Sequence, residues 1–139
     1  MMVSTKGRYA LRVMIDLAEH AQDGGDAAIP LGQIARRQEI SQKYLESIAA
    51  MLSRGGLIVS TRGKDGGYRL ARPANAITAG EILRLTEGSL APVACVENGC
   101  ARAEICRTLP LWRQLDGVID GYLDRITLDD VMHGRVEPK

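Results

Sequence analysis

The chain has 139 residues, 45% of them hydrophobic and 25% charged, with a formal net charge of +1. That is the make-up of one globular domain with room for a protruding dimerisation element. No apolar run approaches the ~20 residues of a membrane-spanning helix, and Met1–Lys6 carries no apolar signal core, so no membrane partner and a cytoplasmic location are expected.

With no Phe in the sequence, the core must be built from Leu, Ile, Val, Ala and Met. The charge is uneven: residues 1–75 hold 11 Lys/Arg against 7 Asp/Glu, and residues 76–139 hold 7 against 10. The first half is therefore the candidate DNA-facing half, although many solvated surfaces share such a bias.

A first helix is predicted from about Lys6 to Gln22, where Tyr9, Val13, Met14, Leu17, Ala18 and Ala21 recur at helical spacing until Asp23-Gly24-Gly25-Asp26 breaks it. A second follows Pro30, from Leu31 to about Gln38. A third runs from Ser41 to about Arg54, with Ser41 as N-cap and Ile40 and Leu45 at staple positions across it. Gly55-Gly56 stops it, since glycine tolerates the left-handed conformation. Leu57–Thr61 and Tyr68–Ala71 are β-prone and flank Arg62-Gly63-Lys64-Asp65-Gly66-Gly67, a hairpin signal. A fourth helix opens at Thr78, with Glu81 at capping-box spacing, and closes at Gly88. A cysteine-bearing loop covers about Ser89–Thr108. A long helix then runs from about Leu109 to Arg125, and Thr127–Val131 adds a short turn.

Helix, turn, helix and hairpin is the order of a winged helix-turn-helix, whose second helix presents its N-terminal residues to base edges. Here those residues are Ser41, Gln42, Lys43, Tyr44, Glu46 and Ser47. Tyr44, Leu45, Ile48, Ala49 and Leu52 form an apolar stripe, so Gln42, Lys43, Glu46 and Ser47 face elsewhere. Gln can pair with adenine, Glu can accept from cytosine, and Lys can meet guanine or phosphate; the same residues also suit a solvated helix face. Arg62 and Lys64 sit on a glycine-bearing loop whose backbone can approach phosphate, and Arg62 also suits the minor groove. An ordinary flexible hairpin has the same composition.

Ser4-Thr5-Lys6-Gly7-Arg8-Tyr9-Ala10, Ile40-Ser41-x-x-Tyr44-Leu45-Glu46, Arg62-Gly63-x-x-Gly66-Gly67-Tyr68, Ile77-Thr78-Ala79-Gly80-Glu81-Ile82 and Ile126-Thr127-Leu128-Asp129-Asp130 follow one another along the chain. In this order they resemble the Rrf2 family of transcriptional regulators, from about Ser4 to Val131. The resemblance implies a mostly α fold with a small β-hairpin wing: a winged helix-turn-helix over 1–88, a cysteine-bearing loop over 89–108, and a dimerisation helix and tail over 109–139. It implies a homodimer on double-stranded DNA with a near-palindromic operator. Carried over by position, Ser41, Tyr44, Glu46 and Arg62 are principal DNA contacts. Lys43, Ser47, Gly63, Gly66 and Gly67 are secondary ones, and Ser4, Thr5 and Lys6 reach toward the phosphate backbone.

On the last long helix, Leu111, Trp112, Leu115, Val118, Ile119, Tyr122, Leu123 and Ile126 form one broad face about 24 Å long by the helical rise. Arg113, Asp116, Asp120 and Asp124 lie on the other. Such a stripe can be core of its own subunit, but earlier segments already supply that core. A partner helix from a second subunit is therefore expected, with Leu115, Ile119, Tyr122 and Leu123 near the interface, in keeping with the resemblance.

Cys95, Cys100 and Cys106, spaced C-x4-C-x5-C, are all the cysteines of the chain. In a reducing compartment this clustering argues for metal or redox chemistry over disulfides or inert thiols, and suits a soft metal or an iron–sulfur cluster. Cluster-binding members of the resembled family carry three cysteines here, with five residues in both gaps. Some add a histidine where this chain has Leu109, others an aspartate near the N-terminus where it has Arg8. The fourth ligand is thus left open, with Glu97 and Glu104 as local donors and His20 and His133 as plain surface residues.

The leading expectation is a DNA-binding regulator sensing iron–sulfur or redox status through these cysteines. A metal-independent regulator answering to a partner enzyme or metabolite is the alternative within the family. A zinc-binding protein-interaction adaptor is the alternative of another class, disfavoured by the charged wing. An enzyme is not expected, since no nucleophile–base set, phosphate loop or paired carboxylate site stands out.

Overall fold

A computed structural model describes residues 2–21 and 27–138; the helix end at Gln22 and the break at Asp23–Asp26 expected from the sequence lie outside them. The elements are α1 (Thr5–Ala21), α2 (Leu31–Gln38), α3 (Gln42–Arg54), β1 (Ile58–Thr61), β2 (Gly67–Leu70), a single 3₁₀ turn (Ala74–Ala76), α4 (Ala79–Glu87), α5 (Ala94–Asn98), α6 (Leu109–Arg125) and α7 (Leu128–Met132). β1 and β2 pair antiparallel, with Ile58 opposite Leu70 and Thr61 opposite Gly67. The fold is mostly α with a β-hairpin wing, as expected.

The apolar periodicity of α1 becomes burial: Ala10, Val13, Met14 and Leu17 are at most 1% exposed. They meet Ile34 of α2 and Leu45, Ile48 and Leu52 of α3, which are fully buried. Ser41 caps α3, accepting a hydrogen bond from the Tyr44 N–H at 3.2 Å, and the staple pair Ile40 and Leu45 is buried. At the end of α3 it is Gly56, with φ 76°, that turns left-handed; Gly55 keeps φ −78°. The capping box at Thr78 and Glu81 forms as expected.

Three features differ from the sequence reading. The cysteine-bearing segment contains a short helix, α5. Thr127 opens a second capping box with Asp130, so the short turn is a helix. That helix folds back onto the first half of the chain: Leu128 is fully buried in the core, and its N–H donates to the Ile77 carbonyl at 3.0 Å while Ala79 N–H donates to Ile126 at 2.8 Å. The C-terminal half of α6 is thereby held by α4 and by the returning α7.

Candidate nucleic-acid interface and cysteine loop

α3 presents two faces. Leu45, Ile48, Ala49 and Leu52 are buried, while Ser41, Gln42, Lys43, Glu46 and Ser47 are exposed. The side chains able to read base edges therefore share one solvent-facing side. Tyr44 is different: it is half-buried, its ring packed edge-on against Tyr9 with centroids 5.7 Å apart. The Ser47 hydroxyl donates to the Tyr44 carbonyl at 2.7 Å, which leaves its oxygen free to accept.

On the wing, Arg62, Gly63 and Lys64 are exposed. Gly66 and Gly67 are half-buried and serve the backbone. A Cβ on Gly66 would stand 2.3 Å from the Thr61 carbonyl oxygen, and one on Gly67 would stand 2.3 Å from the Ile29 carbonyl. The second approach is close because Ile29 bridges to Tyr68 through hydrogen bonds of 2.8 and 2.9 Å, which tie the wing to the chain entering α2. Thr5 and Lys6 are exposed at the start of α1. Ser4 is drawn the other way: its backbone N–H and its hydroxyl both donate to the Glu87 carboxylate, at 3.0 and 2.6 Å.

The outward centre of α6 is formed by Leu111, Leu115 and Val118, which are 59%, 38% and 65% exposed. Tyr122 lies half-buried on the same side, and Ile119 and Leu123 flank it, also half-buried. The acidic side grips α4. Arg84 donates to Asp124 at 2.6 and 3.1 Å and to Asp120 at 2.8 Å, and these bonds push its guanidinium above its ordinary pKa. With Asp120 and Asp124 turned to α4, Leu111, Leu115 and Val118 are left on the outward side.

Cys95 lies half-buried on α5, Cys100 is exposed beyond it, and Cys106 is half-buried just before α6. The Cys106 sulfur sits 3.2 Å from the Thr108 hydroxyl. Hydrogen bonds from that hydroxyl and from the Thr108 and Leu109 N–H groups, aided by Arg102, hold the thiol below its ordinary pKa. The thiolate is the metal-ligating form, so Cys106 is suited to bind a soft metal, and three cysteines on one segment are the donor type that an iron–sulfur cluster takes. Among the described residues, no three Cys, His, Asp or Glu side chains are gathered for a metal. The three thiols share a loop without converging.

Sequence reasoning missed the groups that fix the helix-turn-helix. Asp16 of α1, 1% exposed, accepts from Arg37 at 2.7 and 3.0 Å and from Gln38 at 2.9 Å. Its spacing from Arg12 and His20, four residues each way, reads as a surface pairing along one helix, and only the fold turns it toward α2.

The family model for Rrf2, described as an iron-dependent transcriptional regulator, matches residues 3–134. The chain belongs to the Rrf2 family. Among its relatives, the HTH-type transcriptional regulator IscR of Pectobacterium carotovorum is 38% identical over 136 residues, covering 97% of this chain and 81% of that protein. The IscR of Yersinia enterocolitica matches to the same extent. Among solved structures, CymR, the global cysteine regulator of B. subtilis, superposes with a TM-score of 0.80 at 36% identity over 96% of this chain and 98% of its own. T. potens IscR does so with a TM-score of 0.76 at 38% identity, over 97% and 88%. This Rrf2 protein is therefore a transcriptional regulator with a winged-helix fold, and its relatives are regulators, not enzymes. No helix among the described residues is long and apolar enough to cross a membrane.

Proposed function

We propose that this Rrf2 protein is a homodimeric repressor or activator that reads a near-palindromic operator with α3 and the wing, and that its cysteine loop reports iron–sulfur or redox status. The observation that carries the DNA reading is the division of α3: its apolar residues are consumed by the core, and Gln42, Lys43, Glu46 and Ser47 stand exposed together with Arg62 and Lys64 on the wing. Base-edge donors and acceptors on a helix, flanked by phosphate-seeking cations, are what groove recognition requires. In this reading residues 1–88 bind DNA, 89–108 sense and 109–139 dimerise.

Two substitutions separate base reading from phosphate contact. Glu46→Ala is expected to cost discrimination at one base position by about 1–3 kcal/mol while changing overall affinity less, because a carboxylate repels phosphate yet accepts from cytosine. Arg62→Ala is expected to weaken binding to all sequences and to lower the slope of log affinity against log salt by about one. Titrations against operator and point-mutated duplexes over a salt series read both. Wild-type behaviour of both variants would place the contact surface elsewhere.

For the sensor, Cys95, Cys100 and Cys106 would hold the iron–sulfur cluster, with Glu97 and Glu104 as open candidates for a fourth ligand. Such a cluster supplies one-electron redox chemistry and lability toward oxidants. All three thiols lie on one segment between α4 and α6, and Cys100 is exposed, which supports a site that a cluster can enter and leave. Anaerobic reconstitution is expected to give a coloured protein whose operator affinity differs from the apo form on the order of tenfold. Failure to take up iron and sulfide, with full operator binding by the triple Cys→Ala variant, would leave a metal-independent regulator.

A further inference from the structure

On the reading that α3 enters the groove, we propose that Arg12 of α1, acting through Gln38, and Tyr9, acting through Tyr44, are positioning residues that set the angle and depth of α3 for sequence-specific DNA binding. The turn between α2 and α3 needs such a brace. Glu39, its first residue, has φ 55°, and among the described residues it is the one non-glycine with positive φ. A left-handed side-chain-bearing residue persists where its surroundings over-determine it.

α1 supplies that surrounding. The end of α2 leaves carbonyl oxygens without helical partners, and the Gln38 carbonyl accepts from the Arg12 guanidinium. The Gln38 side-chain oxygen accepts from Arg12 Nε at 3.1 Å, and its amide nitrogen donates to Asp16 at 2.9 Å. Every polar group of this residue except its N–H is therefore held from α1. The Arg12 guanidinium also lies over the Tyr9 ring, 5.1 Å from its centroid. Tyr9 in turn packs edge-on against Tyr44, in the first turn of α3 and three residues beyond its cap. One face of α1 thus touches the last residue of α2 and the first turn of α3, on either side of the turn. Base readout demands that side chains be held within about half an ångström of their productive geometry. A turn released from α1 would leave the exposed residues of α3 present but misplaced.

Arg12 is exposed and cationic, so phosphate contact is the competing role, and the experiment divides the two. The wild-type protein selects a duplex from a random-sequence library, and affinities for this duplex and a scrambled one of equal length are measured over a salt series, below the melting temperature of every variant. Arg12→Met is expected to weaken the selected duplex on the order of tenfold, with scrambled-duplex affinity and salt slope unchanged. Tyr9→Leu, which alters no charge, is expected to show the same pattern. If both affinities fall together and the slope drops by about one, Arg12 is a phosphate contact and the proposal is overturned. If the melting temperature falls but the ratio of the two affinities stays at the wild-type value, the residues are merely structural and the proposal is likewise overturned. If the wild type enriches no duplex, the DNA reading itself fails, and the proposal with it.

Discussion

Val118→Asp combined with Leu115→Asp is expected to convert the protein to a monomer at micromolar concentration while leaving its helical content intact. Val118 is 65% exposed and Leu115 38%, so neither carboxylate is buried within its own subunit. In a helix-to-helix interface each would be desolvated without a partner, a cost of several kcal/mol per group. The functional loss should exceed the loss of association. A dimer places two recognition helices on two half-sites, and the second contact is made at high effective concentration, so a monomer should bind the operator about 10²–10⁴-fold more weakly. Light scattering reads the mass, circular dichroism the helices and a titration the affinity. Arg113→Asp, an exposed change beyond the apolar stripe, should leave all three near wild type. A double variant that remains a dimer would move the interface off α6.

The sequence led to the faces of α6 by a route the structure amends. Periodicity marked the apolar stripe, but periodicity cannot say which part of a broad stripe faces its own subunit. The ionic grip of Arg84 on Asp120 and Asp124 decides that, and it turns Leu111, Leu115 and Val118 outward while Ile119 and Leu123 fall to the flanks. The helix-turn-helix and the helix after the wing were legible because their signals are local: the Ser41 cap and the Ile40–Leu45 staple of α3 and the capping box at Thr78 of α4 need only neighbouring residues. α7 was half legible for the same reason. Its cap is local, but its return to the core through Leu128 depends on contacts with residues some fifty positions away, such as Ile77, and no spacing rule encodes them. In the cysteine loop the residue types spoke clearly and the geometry did not, since three soft donors reveal an affinity without revealing how the backbone brings them together.

Asp16→Ala is expected to lower the unfolding free energy at neutral pH by about 2–3 kcal/mol, because a buried carboxylate that accepts hydrogen bonds from a charged donor contributes more than a neutral pair. Burial alone would raise the Asp16 pKa; hydrogen bonds from Arg37 and Gln38 and the nearby positive charge outweigh it and hold the carboxyl below its ordinary 3.8. The sign of the pH dependence follows. A group whose folded pKa lies below its unfolded value stabilises the fold above the unfolded value and loses that contribution as pH falls through the folded one. The gap between wild type and Asp16→Ala should therefore be constant from neutral pH down to about pH 4–5 and narrow below it, as the wild-type carboxylate takes up its proton. Glu81 and Asp130 are also held low, so both proteins should still weaken in acid, and only the difference between them isolates Asp16. Asp16→Asn keeps the shape and one acceptor oxygen; it should lose less at neutral pH, and its gap from wild type should narrow over the same acid range. Urea unfolding at several pH values measures all three. A gap that persists unchanged at pH 2–3 would mean that the loss comes from packing and not from the charged network. In that case the coupling of α1 to α2 would rest on the apolar contacts of Val13, Leu17 and Ile34.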